Sequence, residues 1–318
     1  MTAGTGTSPL RLGTRGSVLA RTQSQAVADA FTAATGTPVE LVHIVTEGDR
    51  SSEAIARLGG TGVFVAAIRR ALLEGSVDLA VHSYKDLPTA AEAGLIIAAV
   101  PGRADPRDAL VARDGLTLGE LPPGSRIGTG APRRVAQLRA LGLGLDVVPI
   151  RGNVDTRLAR VAGRGGENAD LDAVVLARAG LARLGRLDAI TETLDPLQVL
   201  PAPAQGALAV ECRTSDARTR ELLGRLEDSS ARACVVAERS TLAALEAGCS
   251  APVAAYAEVA EGETGPELFL RASVTAIDGS DAVRGSVTGP LLEAAALGRA
   301  LATELLGRGA AELMAVSS

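Results

Sequence analysis

The stretch Val77-Asp-Leu-Ala-Val-His-Ser-Tyr-Lys-Asp-Leu-Pro88 runs from a short apolar segment straight into polar and titratable side chains. Its first half predicts a buried strand over Val77–His82, because short apolar runs are typical of strands inside a sheet. Further strands are predicted at Leu10–Thr14, Val39–Val45 and Leu95–Val100, and helices at Ser17–Ala34, capped by Ser17, and Val63–Leu73. Apolar strands joined by helical crossovers predict a parallel, doubly wound α/β sheet.

A second region begins after Pro101–Pro106 and shows the same alternation. Pro132 suits the first turn of a helix, where its missing N–H costs nothing. The Pro-rich segment Leu200–Gln205 is typical of a stiff linker, and one more strand, Ala207–Cys212, follows it. The other predicted strands here are Ala109–Ala112, Arg126–Gly128, Asp146–Ile150 and Asp172–Leu176, and the helices are Pro132–Leu141 and Val154–Ala162.

The last region has a different order of elements. A long helix, Ala231–Ala247, is predicted to end at Gly248, where a helix-terminating glycine is common. Strands and a closing helix follow it, at Val253–Glu258, Leu268–Ala276, Ala282–Thr288 and Leu291–Leu306. Strands followed by a helix on one side predict a small α+β domain.

The composition excludes several classes of protein. Hydrophobic residues are 47% and charged residues 22% of the 318, the balance of a chain with a full core. No apolar run reaches the roughly 18–20 residues of a membrane helix, and Met1–Ser17 has no signal-like stretch, so we expect a soluble cytoplasmic protein. A net charge of −5 and 2% aromatic residues argue against nucleic-acid binding. Two histidines and three cysteines without a Cys-x-x-Cys pair favour neither a metal site nor a disulfide framework.

The polar half of the opening stretch contains an unusual pair of side chains. Lys85 is the single Lys among 32 basic residues, the others being Arg. Asp86 follows it at the predicted end of a strand, where a carboxylate can act as a general acid or base or stabilise a developing cation. Two alternatives remain at this point: Lys85 stands there by chance, and Asp86 only caps the next turn.

Arginines occupy other predicted strand ends, and in open α/β sheets the ligand crevice lies beyond the carboxyl ends of the strands. Arg15 and Arg151 follow strands, and Arg183 lies in a glycine-containing turn. Gly128-Thr-Gly130 leads into a helix that starts with Arg133-Arg134, a combination that suits an anion. Together these residues predict an interdomain cleft for a polycarboxylate or phosphate. Taken singly, each arginine is more simply explained as a solvated surface charge.

Two further segments admit a functional and a structural interpretation. Cys249 follows a helix-ending glycine in a predicted loop, where a thiol can be accessible and reactive, but its position alone also suits an ordinary loop residue. Cys212 and Cys234 have the apolar surroundings typical of a core. The glycine-rich stretch Glu47–Gly62 is either a mobile lid or an ordinary surface loop.

Several motifs, in chain order, are similar to those of one enzyme family. They are Thr14-Arg-Gly-Ser17, Gly59-Gly-Thr-Gly-Val-Phe64, Val81-His-Ser-Tyr-Lys-Asp86, Asp105-Pro-Arg-Asp108, Arg133-Arg134, Arg151-Gly-Asn-Val-Asp-Thr-Arg157, Leu200-Pro-Ala-Pro-Ala-Gln-Gly206, and Leu245-Glu-Ala-Gly-Cys249 with Pro252. The most specific are the segment that begins at Arg151 and the loop around Cys249. From Leu10 to the last helix, the chain resembles the porphobilinogen deaminase (hydroxymethylbilane synthase) family.

The resemblance implies a transferase of haem biosynthesis. Such an enzyme joins four porphobilinogen molecules head to tail with loss of ammonia, and then releases hydroxymethylbilane by hydrolysis. The implied fold has two doubly wound α/β domains that resemble periplasmic binding proteins, residues 8–103 with 207–224 and residues 108–200. A small C-terminal α+β domain covers residues 229–318. We expect a monomer that acts on a small molecule and binds neither nucleic acid nor membrane.

The resemblance also implies the roles of individual residues. Cys249 carries a dipyrromethane cofactor, built from two porphobilinogen units, through a thioether. Asp86 is the catalytic carboxylate, hydrogen-bonded to pyrrole N–H groups. The implied cofactor contacts are Lys85, Ser83, Asp86, Thr129, Arg133, Arg134, Arg157 and Arg183, and the implied substrate contacts are Arg15, Ser17, Gln23, Phe64, Arg151 and Gln205.

Two departures from the family pattern leave details open. The family often has Lys where Arg57 and Thr61 stand, and Ser where Ala131 precedes Pro132, so the lid contacts and a hydroxyl beside the arginine pair are not carried over. Two other interpretations remain: an inactive member of the family, and a non-catalytic, two-lobed anion-binding protein. The second leaves Cys249 and the third region unexplained.

Overall fold

The computed structural model describes residues 8–44, 61–163, 169–246, 251–262 and 265–315. The chain packs into two compact units, Met1–Arg103 with Ala207–Arg232 and Ala104–Gly206 with Ala233–Ser318. The division into three domains stays a prediction. In the described part of the chain, no helix combines the length and the apolar character that crossing a membrane requires.

The strands and helices have the following bounds. The strands are β1 (Leu10–Thr14), β2 (Val39–His43), β3 (Leu79–Ser83), β4 (Leu95–Ala99), β5 (Asp108–Ala112), β6 (Arg126–Thr129), β7 (Asp146–Pro149), β8 (Ala173–Ala177), β9 (Glu192–Thr193), β10 (Leu208–Arg213), β11 (Val253–Gly262), β12 (Gly265–Thr275) and β13 (Ala282–Pro290). The helices are α1 (Val18–Thr35), α2 (Thr61–Leu73), α3 (Pro132–Ala140), α4 (Val154–Leu158), α5 (Arg178–Arg183), α6 (Ala217–Leu223), α7 (Ser229–Ala244), α8 (Ala294–Gly307) and α9 (Ala310–Ala315).

The first unit is built on a five-stranded sheet in the order β2-β1-β3-β10-β4. β1 lies parallel to β2 and β3, as predicted, whereas β10 runs antiparallel to both β3 and β4. The parallel sheet predicted from the first four strands therefore also contains one antiparallel strand, β10. This strand follows the Pro-rich segment instead of a crossover helix, and only a crossover returns the chain in the parallel direction.

Helix α1 shows why the local predictions in this unit hold. The Ser17 hydroxyl accepts a hydrogen bond from the Ala20 N–H (3.3 Å), and Gly36 ends the helix with a left-handed φ of 69°. Phe31 on its inner face is fully buried against the same core as Leu12 of β1. The cap and the apolar face together fix both ends of the helix and its contact with the sheet.

The second unit contains two sheets. The first has the order β7-β6-β8-β5-β9, with β6 parallel to β7 and β8, and β5 antiparallel to β8 and β9. This sheet therefore also contains an antiparallel strand, β5. Helix α4 ends at Leu158, earlier than the predicted Ala162, because Val161 forms a β-bridge with Leu171 instead.

The second sheet of this unit is the antiparallel meander β11-β12-β13. It packs with α7 and α8 around Leu268, Leu270 and Leu301. β11 extends past the predicted Glu258 to Gly262, since the charged end of this hairpin continues the ladder without an apolar pattern. The predicted fold class, two doubly wound α/β parts and a small α+β part, is confirmed.

Candidate functional site

Asp86 lies in a single 3₁₀ turn, Tyr84–Asp86, directly after β3. The Tyr84 N–H donates to the Ala207 carbonyl oxygen (3.1 Å), and the Leu87 N–H donates to the Tyr84 carbonyl oxygen (3.3 Å). Tyr84 and Leu87 are buried, while Lys85 and Asp86 are half-buried. The turn is thus anchored on its inner side and presents an ammonium and a carboxylate at the end of the strand.

Other predicted site residues lie at the same edge of the sheet, since β1 and β3 are adjacent parallel strands whose carboxyl ends meet. Ser83 ends β3, and its hydroxyl accepts a hydrogen bond from Gln23 Nε2 of α1 (3.2 Å). Arg15 is half-buried directly after β1, and Ser17 is exposed at the start of α1. This edge therefore collects four predicted residues near the Asp86 turn.

A buried charge cluster occupies the second unit. Asp108, fully buried at the start of β5, accepts hydrogen bonds at 2.8 Å from Arg133 Nη2 on one carboxylate oxygen and from Arg134 Nη2 on the other. Gln205 Nε2 donates to the second oxygen as well (2.7 Å). Burial alone would raise the pKa of Asp108, but the charges of the two guanidinium groups, with these hydrogen bonds, hold that pKa well below its usual range. Asp108 is therefore ionised at neutral pH.

This internal carboxylate was missed in the sequence, where Arg133 and Arg134 were predicted as partners of a ligand anion. Both arginines are about 95% buried, and each also donates to a backbone carbonyl, Arg133 Nη1 to Leu200 (2.5 Å) and Arg134 Nη1 to Val175 (3.0 Å). Two cations nevertheless share one carboxylate, and the Nε atom of each is buried without a hydrogen-bond partner. The pair keeps one positive charge in excess.

Three further predicted site residues, Arg151, Arg157 and Arg183, form no ion pair with a carboxylate in the part of the chain that the structure describes. Burial lowers the pKa of Arg157, the charge of Arg134 lowers it further, and the Arg157 Nε atom is buried without a hydrogen-bond partner. Burial also lowers the pKa of Arg183, whose Nη2 donates to the Gly206 carbonyl oxygen (2.6 Å). Arg151 is exposed after β7.

Other arginines of this unit are neutralised by nearby aspartates. The pairs are Arg107–Asp105 (2.6 Å), Arg113–Asp172 (2.6 Å) and Arg160–Asp170 (2.5 Å). Arg151, Arg157 and Arg183 thus differ from their neighbours in having no counter-charge within the described residues. A set of such guanidinium groups can bind the carboxylates of a ligand.

The turn before α3 has a packing role that the sequence did not reveal. A Cβ atom at Gly130 would lie 2.8 Å from the Ile150 carbonyl oxygen and 3.7 Å from Arg157 Nη2. Thr129 is buried, and its hydroxyl accepts a hydrogen bond from the Ala131 N–H (3.4 Å). Gly130 therefore lets the turn approach both β7 and the Arg157 guanidinium.

Some predicted features lie outside what the structure describes. Cys249 and residues 47–60 are not among the described residues, and the side chain of Phe64, in α2, is not described either. The cleft predicted from the sequence stays a prediction. Among the described residues, no group of three or more His, Cys, Asp or Glu side chains is placed to hold a metal ion.

The described residues thus form an α/β protein with a half-buried carboxylate on an anchored turn in one unit and, in the other, arginines with excess positive charge that can bind the carboxylates of a ligand. Two family models match the chain. "Porphobilinogen deaminase, dipyromethane cofactor binding domain" matches residues 10–221, and "Porphobilinogen deaminase, C-terminal domain" matches residues 232–307. The chain belongs to the porphobilinogen deaminase family.

Relatives support this over nearly the whole chain. Porphobilinogen deaminase of Nocardia farcinica is 61% identical over 98% of this chain and 89% of its own length. That of Mycobacterium tuberculosis H37Rv is 60% identical over 96% of this chain and 98% of its own. Among solved structures, the methionine binding protein MetQ has a TM-score of 0.39 and 13% identity over 68% of this chain and 89% of that one.

Family membership confirms the transferase class and the dipyrromethane cofactor that the resemblance implied, and it does not favour the non-catalytic alternative. The described residues fit this cofactor, whose two pyrroles each carry two carboxylates. The buried, unsatisfied Nε atoms of Arg133, Arg134 and Arg157 and the excess positive charge are what such carboxylates would satisfy. The roles of the individual residues stay predictions.

Proposed function

We propose that this chain joins four porphobilinogen molecules stepwise, with loss of ammonia, and releases hydroxymethylbilane by hydrolysis, with Asp86 as its catalytic carboxylate. The observation that carries the proposal is the set of Arg151, Arg157 and Arg183, which have no carboxylate partner in the described residues of a porphobilinogen deaminase family member. Each porphobilinogen brings two carboxylates, so the reaction needs guanidinium groups that are not already neutralised.

These arginines are suited to hold those carboxylates. Arg157 and Arg183 are desolvated cations, as their lowered pKa values indicate, and a desolvated cation gains most from an incoming anion. Arg151 is exposed and able to meet a carboxylate in solution. In the first unit, Arg15, Ser17 and Gln23 offer a cation, a hydroxyl and an amide to a substrate.

Asp86 supplies the charge that the chemistry needs. Loss of ammonia from porphobilinogen leaves a cationic pyrrole, and an adjacent carboxylate stabilises that cation, accepts a hydrogen bond from the pyrrole N–H and can take up a proton. The backbone of the 3₁₀ turn holds Asp86 in place, so little reorganisation is required when the positive charge develops.

Cys249 is the proposed attachment point of the cofactor, which when bound supplies the pyrrole carbon that the first substrate molecule joins. Among the other cysteines, burial raises the pKa of Cys212 to about 11, which keeps that thiol protonated, and Cys234 is buried in the core. The residues that would hold the carboxylates and pyrrole N–H groups of the cofactor are Ser83, Lys85, Asp86, Thr129, Arg133, Arg134, Arg157 and Arg183.

The proposal also covers the location, the oligomeric state and the partners of the protein. The protein works as a cytoplasmic monomer on a small-molecule substrate, without nucleic acid and without a membrane. The net charge of −5 supports the exclusion of nucleic acid, because polyphosphate binding is driven by excess basic charge.

Arg157→Ala is expected to lower porphobilinogen turnover about tenfold to a hundredfold, because a hydrogen bond to a charged group is worth about 1.5–3 kcal/mol. It should leave the thermal unfolding midpoint unchanged or raise it, since it removes a half-buried cation that no described carboxylate neutralises. The measurement is the rate of ammonia release and of hydroxymethylbilane formation, together with the unfolding midpoint.

The matched control is Arg160→Ala, three residues along, where the guanidinium pairs with Asp170 at the surface. This variant should keep turnover within about twofold, because surface pairs contribute little. Wild-type protein that binds porphobilinogen but releases no ammonia would contradict the proposed function. Equal turnover in the Arg157→Ala and Arg160→Ala variants would exclude Arg157 from a role in the reaction.

A further inference from the structure

The first unit contains a second buried ionic group that the proposed reaction does not use. Glu211 of β10 is 2% exposed and lies between Arg69 of α2 and His82 of β3, which are 8% and 7% exposed. Arg69 Nη2 lies 2.9 Å from one carboxylate oxygen of Glu211, and His82 Nε2 lies 3.1 Å from the other. A carboxylate, a guanidinium and an imidazole are thus buried in contact with one another on one face of the sheet.

The strand register explains how these residues meet. Glu211 pairs with Ala80 and Ala209 with His82 in the antiparallel ladder between β10 and β3. Since alternate residues share a face, Glu211 and His82 are diagonal neighbours on one side of the sheet. Arg69 reaches the same side from α2, donating from Nε to both carboxylate oxygens (3.1 and 3.2 Å).

The protonation of the group follows from its charges. Burial would raise the pKa of Glu211, but the hydrogen bonds and charges of His82 and Arg69 lower it below the usual range. An ionised carboxylate can only accept hydrogen bonds. His82 Nε2 therefore carries the hydrogen and donates the hydrogen bond to Glu211. Among the described residues, the half-exposed Glu92 also contacts the group, 3.4 Å from Arg69 Nη1.

Stability alone is a weak reason for this arrangement. Buried ion pairs often contribute no more than apolar residues of the same volume, because both charges lose their hydration. The position of His82 offers a better reason. His82 is the second-last residue of β3, and three residues separate it from Asp86. Ser83, next along, is held by Gln23 on the opposite face.

We propose that Glu211, itself held by Arg69, is a positioning residue that fixes the end of β3 through His82 and so sets the location of Asp86. The last two residues of β3 are then clamped from both faces of the sheet, immediately before the turn that carries the catalytic carboxylate. This proposal rests on the proposed role of Asp86. It assigns a function to three side chains that lie outside the predicted site.

The test compares two substitutions of His82 in the full-length, cofactor-loaded protein. His82→Met fills similar space but cannot donate to Glu211, and it leaves the Arg69–Glu211 pair intact. His82→Gln keeps a donor. We expect His82→Met to lower kcat about tenfold to a hundredfold, the effect of a small displacement of a catalytic group, with KM for porphobilinogen within about twofold of wild type. His82→Gln should recover most of the loss.

A second comparison separates this proposal from the role of Asp86. If His82 acts through Asp86, His82→Met should cause no further loss in an Asp86→Asn background. Wild-type kcat in a folded His82→Met variant would overturn the positioning role while leaving Asp86 untouched. Wild-type kcat in Asp86→Asn alone would overturn the role of Asp86 first.

A third variant covers the case in which His82→Met does not fold. Arg69→Met with Glu211→Leu replaces the ion pair by apolar groups and is expected to unfold within a few degrees of wild type. It should still show the loss in kcat, because His82 then has no acceptor. Full activity in this double variant would mean that the network serves stability only, and would overturn the proposal.

Discussion

Asp86→Asn is expected to remove almost all porphobilinogen turnover and to leave the fold intact. The loss should reach about 10²–10⁴-fold, the range for a group that stabilises developing charge and transfers a proton. The fold should survive because the Tyr84–Asp86 turn is held by backbone hydrogen bonds and by the buried Tyr84 and Leu87, whereas Asp86 itself is half-buried. Turnover and the thermal unfolding midpoint measure the two effects separately.

The control for this variant is Asp29→Asn, which changes an exposed carboxylate of α1 in the same unit that accepts a hydrogen bond from Gln25. It removes the same charge at a distance from the β3 turn and should leave turnover unchanged. Near-normal turnover in Asp86→Asn would exclude Asp86 from the reaction. A large drop in its unfolding midpoint would instead make the loss of activity a consequence of unfolding.

Asp108→Asn is expected to cause the largest loss of stability. The side chain keeps its shape but leaves two buried guanidinium groups without their counter-charge, and breaking a buried ion pair costs about 3–5 kcal/mol. The free energy of unfolding in urea at pH 7 measures this loss. Asp114→Asn, which removes an exposed carboxylate paired with Arg113, should change that free energy by less than about 1 kcal/mol.

The pH dependence gives an independent check on Asp108. Its pKa in the folded state is lowered, so its ionisation stabilises the fold above the ordinary Asp pKa, and that contribution is lost as the pH falls toward the lower folded value. The stability difference between wild type and Asp108→Asn should therefore be full at neutral pH and shrink below about pH 4. A difference that grows on acidification would contradict an ionised Asp108.

Local features of this fold could be predicted from the sequence, and long-range ones could not. The cap at Ser17, the Pro132 start of α3 and the Asp86 turn depend on residues within a few positions of each other. The antiparallel entry of β10 depends on where the chain returns to the sheet, which no local pattern records. The two-residue strand β9 is too short to leave a periodic pattern at all.

In the site, too, local features could be predicted from the sequence and long-range contacts could not. The motifs indicated which arginines to consider, but not that Arg133 and Arg134 share Asp108, since Arg133 lies 25 positions along the chain from that carboxylate. The His82–Glu211 contact joins residues 129 apart, and a buried Glu in an apolar strand gave no sign of its partner. Arg157 and Arg160 look alike in the sequence, and only the presence of Asp170 beside Arg160 separates them.

The measurement that tests the central claim most directly is the denatured intact mass of the purified protein, beside Cys249→Ser and Cys212→Ser. The wild type and Cys212→Ser should both exceed their sequence masses by two linked pyrrole units, and Cys249→Ser should not. An unmodified wild type that gains this mass on incubation with porphobilinogen would agree with the account. A wild type that never gains it, or a Cys249→Ser variant that retains it, would contradict it.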